Sequence, residues 1–222
     1  MSMRPVKKTD AGKSWISKRR DSKRMIAPEF HLILSEGTRT EPLYFDRIKK
    51  LINQKYTGRI HLEVVGKGDN TLNLFHQAKS YVEQSNVIYK HIWLIYDKDD
   101  FPPKHFDQTA ELCERETNEE CNYHAIWSNP CFELWFLLHF MYLQANIHRS
   151  AYESKLTERM KERALGIYAK TRKDMFDTLR PYLDEAVLHS KQLEQIHKEN
   201  LPSVAAPCTK VHILVEKLRS YI

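Results

Sequence analysis

Between residue 28 and residue 142 the chain alternates short apolar runs with amphipathic stretches, and this alternation constrains the fold more than any other feature of the sequence. The runs are Phe30 to Ser35, Ile60 to Val65, His91 to Tyr96 and Tyr123 to Trp127. Each has the length of a strand, and the third is almost wholly apolar, as a strand covered on both faces must be. Helical patterns separate them. After the first run Leu43, Ile48, Leu51 and Ile52 share one side, with Thr40 as a suitable N-cap and Pro42 in the first turn, where its missing N–H costs little. After the second, Asp69 or Asn70 can cap a helix carrying Leu72, Leu74, Phe75, Ala78, Tyr81 and Val82, and after Pro102-Pro103 a third helix runs to about Glu120. Strand and helix alternating four times predicts an α/β fold: a mostly parallel sheet of about four strands, joined by right-handed crossovers and flanked by helices.

Beyond the fourth strand the pattern changes. Pro130 to Tyr142 reads as a buried helix, and the charged remainder as helical segments over 151–165, 173–182, 183–199 and 210–222. The expected organisation is therefore a basic N-terminal arm over 1–27, an α/β domain over 28–149 and a helical C-terminal region over 150–222.

Charge singles out the arm. Residues 1–26 hold nine Lys and Arg against Asp10 and Asp21, a net of +7, so with +6 overall the other 196 residues sum to −1. Such an arm raises affinity for a phosphate backbone without reading sequence, and it also serves as a solvated terminus or a protein-docking segment. No apolar run approaches the roughly 20 residues of a membrane span, and no apolar signal segment precedes the basic arm, so a cytoplasmic protein with no membrane association is expected. Cys113, Cys121, Cys131 and Cys208 show no CxxC spacing and read as free thiols.

Chemistry is suggested where two strands end. Glu36 follows the first, and Asp97 and Asp99 follow the third. Two residues apart on an extended chain, Asp97 and Asp99 lie on one side with Cα atoms about 6.5 to 7 Å apart, a spacing that lets both reach one hydrated divalent ion. Magnesium takes carboxylate and water oxygens and leaves positions for phosphate. The same acids also suit a turn leading into Pro102-Pro103 and, for Glu36, the start of a helix. Arg39, beside Glu36, and Lys67, in Gly66-Lys-Gly68-Asp-Asn70, are candidate phosphate contacts, although the latter stretch lacks the full P-loop pattern. Asn129 and Glu133, after the fourth strand, are candidate substrate contacts, while His139 on an apolar helix reads as a core histidine.

The motifs Glu36-Gly-Thr-Arg-Thr-Glu-Pro-Leu-Tyr-Phe45, Asp97-x-Asp99 and Ser128-Asn-Pro-Cys-Phe-Glu-Leu-Trp135 with His139-Phe140 following resemble the RloB-like proteins of the Toprim superfamily. The resemblance runs from about Phe30 to Phe140, and more faintly to Thr209-Lys-Val-His212. It implies a Toprim, Rossmann-like domain with Mg²⁺, or Mn²⁺, held by Asp97 and Asp99, and Glu36 as general acid/base or metal-associated carboxylate. It further implies a nuclease acting on RNA such as tRNA, or on DNA, in anti-phage defence, beside an ABC/AAA-type ATPase. The alternative is a non-catalytic subunit that keeps the same shell and binds the ATPase through its C-terminal third; whether copies of the chain associate is left open. A topoisomerase or primase is disfavoured, since the chain has no room for a strand-passage module and no zinc-ribbon spacing.

Overall fold

The computed structural model describes residues 29–64, 71–98 and 102–222. The basic arm, the Gly66 to Asn70 stretch with Lys67 and the two proposed caps, and Asp99 lie outside the described residues. In chain order the elements are β1 (His31–Ser35), α1 (Thr40–Lys55), β2 (Ile60–Val64), α2 (Leu72–Gln84), β3 (His91–Asp97), α3 (Pro103–Glu116), β4 (Asn122–Asn129), α4 (Glu133–Leu138), α5 (Ser150–Glu162), α6 (Met175–Leu179), α7 (Leu183–Ile196), β5 (Cys208–Thr209) and α8 (Val211–Arg219). Among the described residues, the strands form one sheet in the order β2-β1-β3-β4-β5.

The first four strands are parallel, as alternation with helices requires, and β5 returns antiparallel beside β4. The sheet thus has five strands, one more than the periodicity predicts. A two-residue strand leaves no apolar run to detect, and its pairing of Ser128 with Thr209 joins residues far apart in the chain. The two hydroxyls meet at 2.9 Å and Lys210 N–H donates to Trp127 O at 2.9 Å, so the pairing satisfies buried polar groups on both strands. β3 lies between β1 and β4, and His91 to Tyr96 are all buried there, which explains its unbroken apolar run.

Three helix boundaries depart from expectation for identifiable reasons. α1 begins at Thr40 itself, with Arg39 at the cap position and no capping side chain; the Thr40 hydroxyl instead meets Tyr168. α3 stops at Glu116, before Glu120, because Asn118 Oδ1 accepts the N–H groups of Glu120 and Cys121 and turns the chain. α4 spans six residues instead of the thirteen from Pro130 to Tyr142: Pro130 has no N–H, Phe132 N–H is taken by Asp97, and the chain turns at His139 and Phe140.

All six residues of α4 are buried, and α5 and α7 pack against it. Phe132 and Phe136 meet Tyr44 of α1 through ring contacts at 6.0 and 5.4 Å. The apolar core therefore runs from the sheet through α4 into the C-terminal helices, where Tyr152, Leu156, Phe176, Leu193 and Leu214 are fully or almost fully buried.

Candidate active site

Parallel pairing in register brings two of the predicted carboxylates to one edge of the sheet. Ser35 lies opposite Ile95, and Glu36 N–H donates to Ile95 O at 3.0 Å, so Glu36 stands one residue past the end of β1 beside the end of β3. Asp97 is the last residue of β3. Both therefore sit at the carboxyl ends of adjacent parallel strands, the edge at which open α/β sheets place their ligands.

A cleft of about 360 Å³ opens at that edge. The turn from Glu36 to Glu41 forms one wall, Asp97 and Cys131 to Glu133 line its base, and Arg149, Ser150, Glu153 and Lys170 from the C-terminal region form the far wall. Glu36, Glu41 and Glu133 are buried, and Asp97 is partly so. The Glu41 carboxylate packs against Gly37, in the space a Cβ there would take. Ser35 Oγ donates to Gly37 O at 3.0 Å and holds the turn closed.

Backbone and side-chain donors orient the acids. Phe132 N–H donates to Asp97 Oδ2 at 2.9 Å, and Tyr168 O–H donates to Glu133 Oε1 at 2.9 Å. Burial and the neighbouring Glu133 raise the Tyr168 phenol far above its ordinary range, so it is a neutral donor. Lys170 Nζ is 3.1 Å from Glu153 Oε1 and 3.7 Å from Glu133 Oε1. Burial works against its charge, but Glu133 and Glu153 outweigh burial and keep it protonated. Burial, with Glu133 and Asp97 close by, pushes the Cys131 thiol far up.

The donor set suits a hard cation. Glu36, Asp97 and Glu133 offer carboxylate oxygens, and His139, whose Nδ1 meets Trp135 O at 2.9 Å, is buried in the core away from the cleft, with burial holding its pKa down to about 4. Among the described residues no three His, Cys, Asp or Glu side chains are grouped closely enough to enclose an ion, and Asp99 lies outside them.

Of the residues singled out from sequence, Glu36, Arg39, Asp97 and Glu133 line this cleft together. Asn129 does not: its amide donates to Pro202 O and Ser203 O at 3.0 and 3.1 Å and anchors the chain that leads into β5. A family model for RloB-like proteins matches residues 31–218. The chain belongs to the RloB-like family. Comparison with curated proteins gave no match.

The RloB-like match begins with β1 and ends within α8, so it takes in the carboxylate edge and the far wall of the cleft alike. The motif resemblance reached only faintly past Phe140, whereas the family unit continues through the C-terminal helices. Arg149, Glu153, Tyr168 and Lys170 were invisible to sequence reasoning, because charged residues in a charged helical region carry no local signal of the cleft they line. Glu41 stood inside the opening motif without a role of its own.

Proposed function

We propose that this RloB-like protein is a metal-dependent nuclease with a Toprim-type domain, hydrolysing phosphodiester bonds of RNA or DNA. The observation that carries the reading is the meeting of Glu36 and Asp97 at the carboxyl ends of adjacent parallel strands, in one cleft whose rim bears Arg39, Arg149 and Lys170. Acids at the base of a cleft and cations at its rim fit a phosphodiester and a divalent ion together.

Asp97, with Asp99, would hold Mg²⁺ or Mn²⁺, and Glu36 stands beside Asp97 on the neighbouring strand end. When bound, the ion supplies positive charge to the scissile phosphate. Glu36 takes the proton of the attacking water and returns one to the leaving oxygen, so one P–O bond forms, one breaks, and the products are a phosphate monoester and a free hydroxyl. Arg39 pairs with non-bridging oxygens and holds the diester in line. The basic arm adds affinity without sequence preference. A cytoplasmic role in phage defence beside an ATPase partner extends the same proposal.

The purified full chain, incubated with labelled tRNA, other RNA and DNA in Mg²⁺ or Mn²⁺, tests it. Cleavage is expected with the ion and not with chelator, and Glu36→Gln or Asp97→Asn lowers the rate by about 10²-fold or more. No cleavage with or without the ATPase, or phage protection untouched by both substitutions, would overturn the nuclease and favour a non-catalytic subunit.

A further inference from the structure

The loop between α5 and α6 is more elaborate than a connection requires. It turns through two left-handed residues, Ala164 at φ 56° and Gly166 at φ 83°, the first of which carries a side chain in a region that favours glycine. Arg172 fastens it from within: Nη1 donates to Leu165 O and Ile167 O, both at 3.0 Å, while Nε and Nη2 donate to Asp174 at 2.8 and 2.5 Å. Tyr168 N–H donates to Thr157 Oγ1 at 3.3 Å and ties the loop to α5.

That fastening sets two side chains against the base of the cleft. Tyr168 reaches the buried Glu133 carboxylate, and Lys170 spans Glu133 and Glu153 with its side chain still 51% exposed. The solvent-exposed pair of Lys170 with Glu153 is too weak to explain a crosslinked loop by itself. Electrostatics supplies a better reason. Five carboxylates line the cleft (Glu36, Glu41, Asp97, Glu133 and Glu153), and on the far wall, which Arg149 also lines, an anionic substrate meets least repulsion where a cation reduces the charge of Glu133 and Glu153. Lys170 is the cation seated between them.

Resting on the nuclease reading above, we infer that Lys170 is a phosphate-binding residue: its ammonium, placed by the Arg172-fastened loop between Glu133 and Glu153, takes a non-bridging oxygen of the nucleic-acid backbone. A lysine acts here as a point charge with three donors, so two can face the carboxylates while the third serves the phosphate. Tyr168 and Arg172 are positioning residues in this arrangement. The C-terminal region thereby provides a wall of the substrate site as well as a packing surface for α4.

The test is equilibrium binding of the full chain to a labelled single-stranded RNA and its DNA counterpart, with Ca²⁺ in place of Mg²⁺, across a salt series. Lys170→Met is expected to weaken binding about three- to tenfold near physiological salt and to make the log–log salt slope shallower by about 0.7, the loss of one phosphate contact on a single strand. Lys170→Arg keeps the slope. A slope unchanged by Lys170→Met, with a lowered melting temperature alone, assigns Lys170 a purely structural role and overturns the inference. Wild-type cleavage together with that unchanged slope overturns it while the nuclease stands. Wild-type protein that neither binds nor cleaves either strand overturns both readings.

Discussion

The Asp97 carboxylate accepts the Phe132 backbone N–H at 2.9 Å, so the end of β3 fixes the start of α4. One side chain thus serves the sheet edge, the beginning of the most buried helix and the cleft. Its structural and chemical roles separate by substitution. Asp97→Asn keeps an oxygen acceptor and removes the charge; Asp97→Ala leaves a buried N–H without its acceptor, which costs about 1 to 3 kcal/mol. Urea midpoints should fall clearly for Asp97→Ala and little for Asp97→Asn, while both lose nuclease activity. Equal destabilisation would show that the Phe132 contact is not what Asp97 contributes to the fold.

Tyr168→Phe removes a single hydroxyl whose O–H donates to Glu133 at 2.9 Å in a buried setting. The ring contact with Phe136 at 6.1 Å survives the change. A loss of about 0.5 to 1.5 kcal/mol is expected, read as a shift in the urea midpoint at unchanged m-value. In the Glu133→Gln background the same change should cost less, because the charged acceptor has gone; equal costs in both backgrounds would mean that the hydroxyl is not working through Glu133.

The opposite end of the sheet predicts a loss of stability in acid. His31 stacks on His91 with ring centroids 4.8 Å apart and accepts Trp93 Nε1–H at 3.0 Å; His91 Nδ1 meets His124 Nε2 at 3.0 Å. Burial, with the neighbouring imidazoles and Lys217, holds His31 down to about 3 and His124 to about 4. Burial also lowers His91, against the pull of Glu29 at 2.9 Å. Folded values below the unfolded value of about 6.5 mean that the unfolded chain takes up protons first as pH falls. Stability is therefore full above about pH 6.5 and is lost progressively toward pH 4 and below. Urea midpoints at stepped pH values measure this, and His124→Gln, which keeps a hydrogen-bonding side chain but cannot titrate, should flatten the fall. A slope unaltered by that substitution would move the effect elsewhere.

The sheet's first four strands were legible because each is a dense apolar run closed by turn residues, and β3 the most so because both of its faces are covered. Glu36 and Asp97 were legible because a carboxylate directly after such a run is chemically conspicuous. Their adjacency was not, since strand order is a long-range property, and the β1–β3 pairing settles it. β5 and the far wall of the cleft escaped for the same reason. Thr209 finds Ser128, and Lys170 finds Glu133, only through the path of the whole C-terminal region, which no local periodicity encodes. Asn129 illustrates the converse: its position at a strand end suggested a ligand contact, while its amide is spent on the carbonyls of Pro202 and Ser203.

That long-range closure makes a prediction about where the chain can be divided. A fragment ending at residue 149 would lose β5 from the edge of β4 and expose the side of α4 that α5 and α7 cover. It would also lose Tyr152, Leu156, Met160, Leu193 and Leu214 from the core, all fully buried. Fully burying one such side chain contributes about 1.5 to 3 kcal/mol, so losing five removes a contribution as large as the whole stability of an ordinary domain, about 5 to 15 kcal/mol. The fragment should aggregate or lack a cooperative urea transition, whereas the milder Thr209→Val should fold normally with a loss of about 1 to 3 kcal/mol, as Ser128 loses its buried partner. A soluble 1–149 fragment that melts cooperatively would mean that the α/β portion closes its core without the C-terminal helices, and that α4 finds other cover.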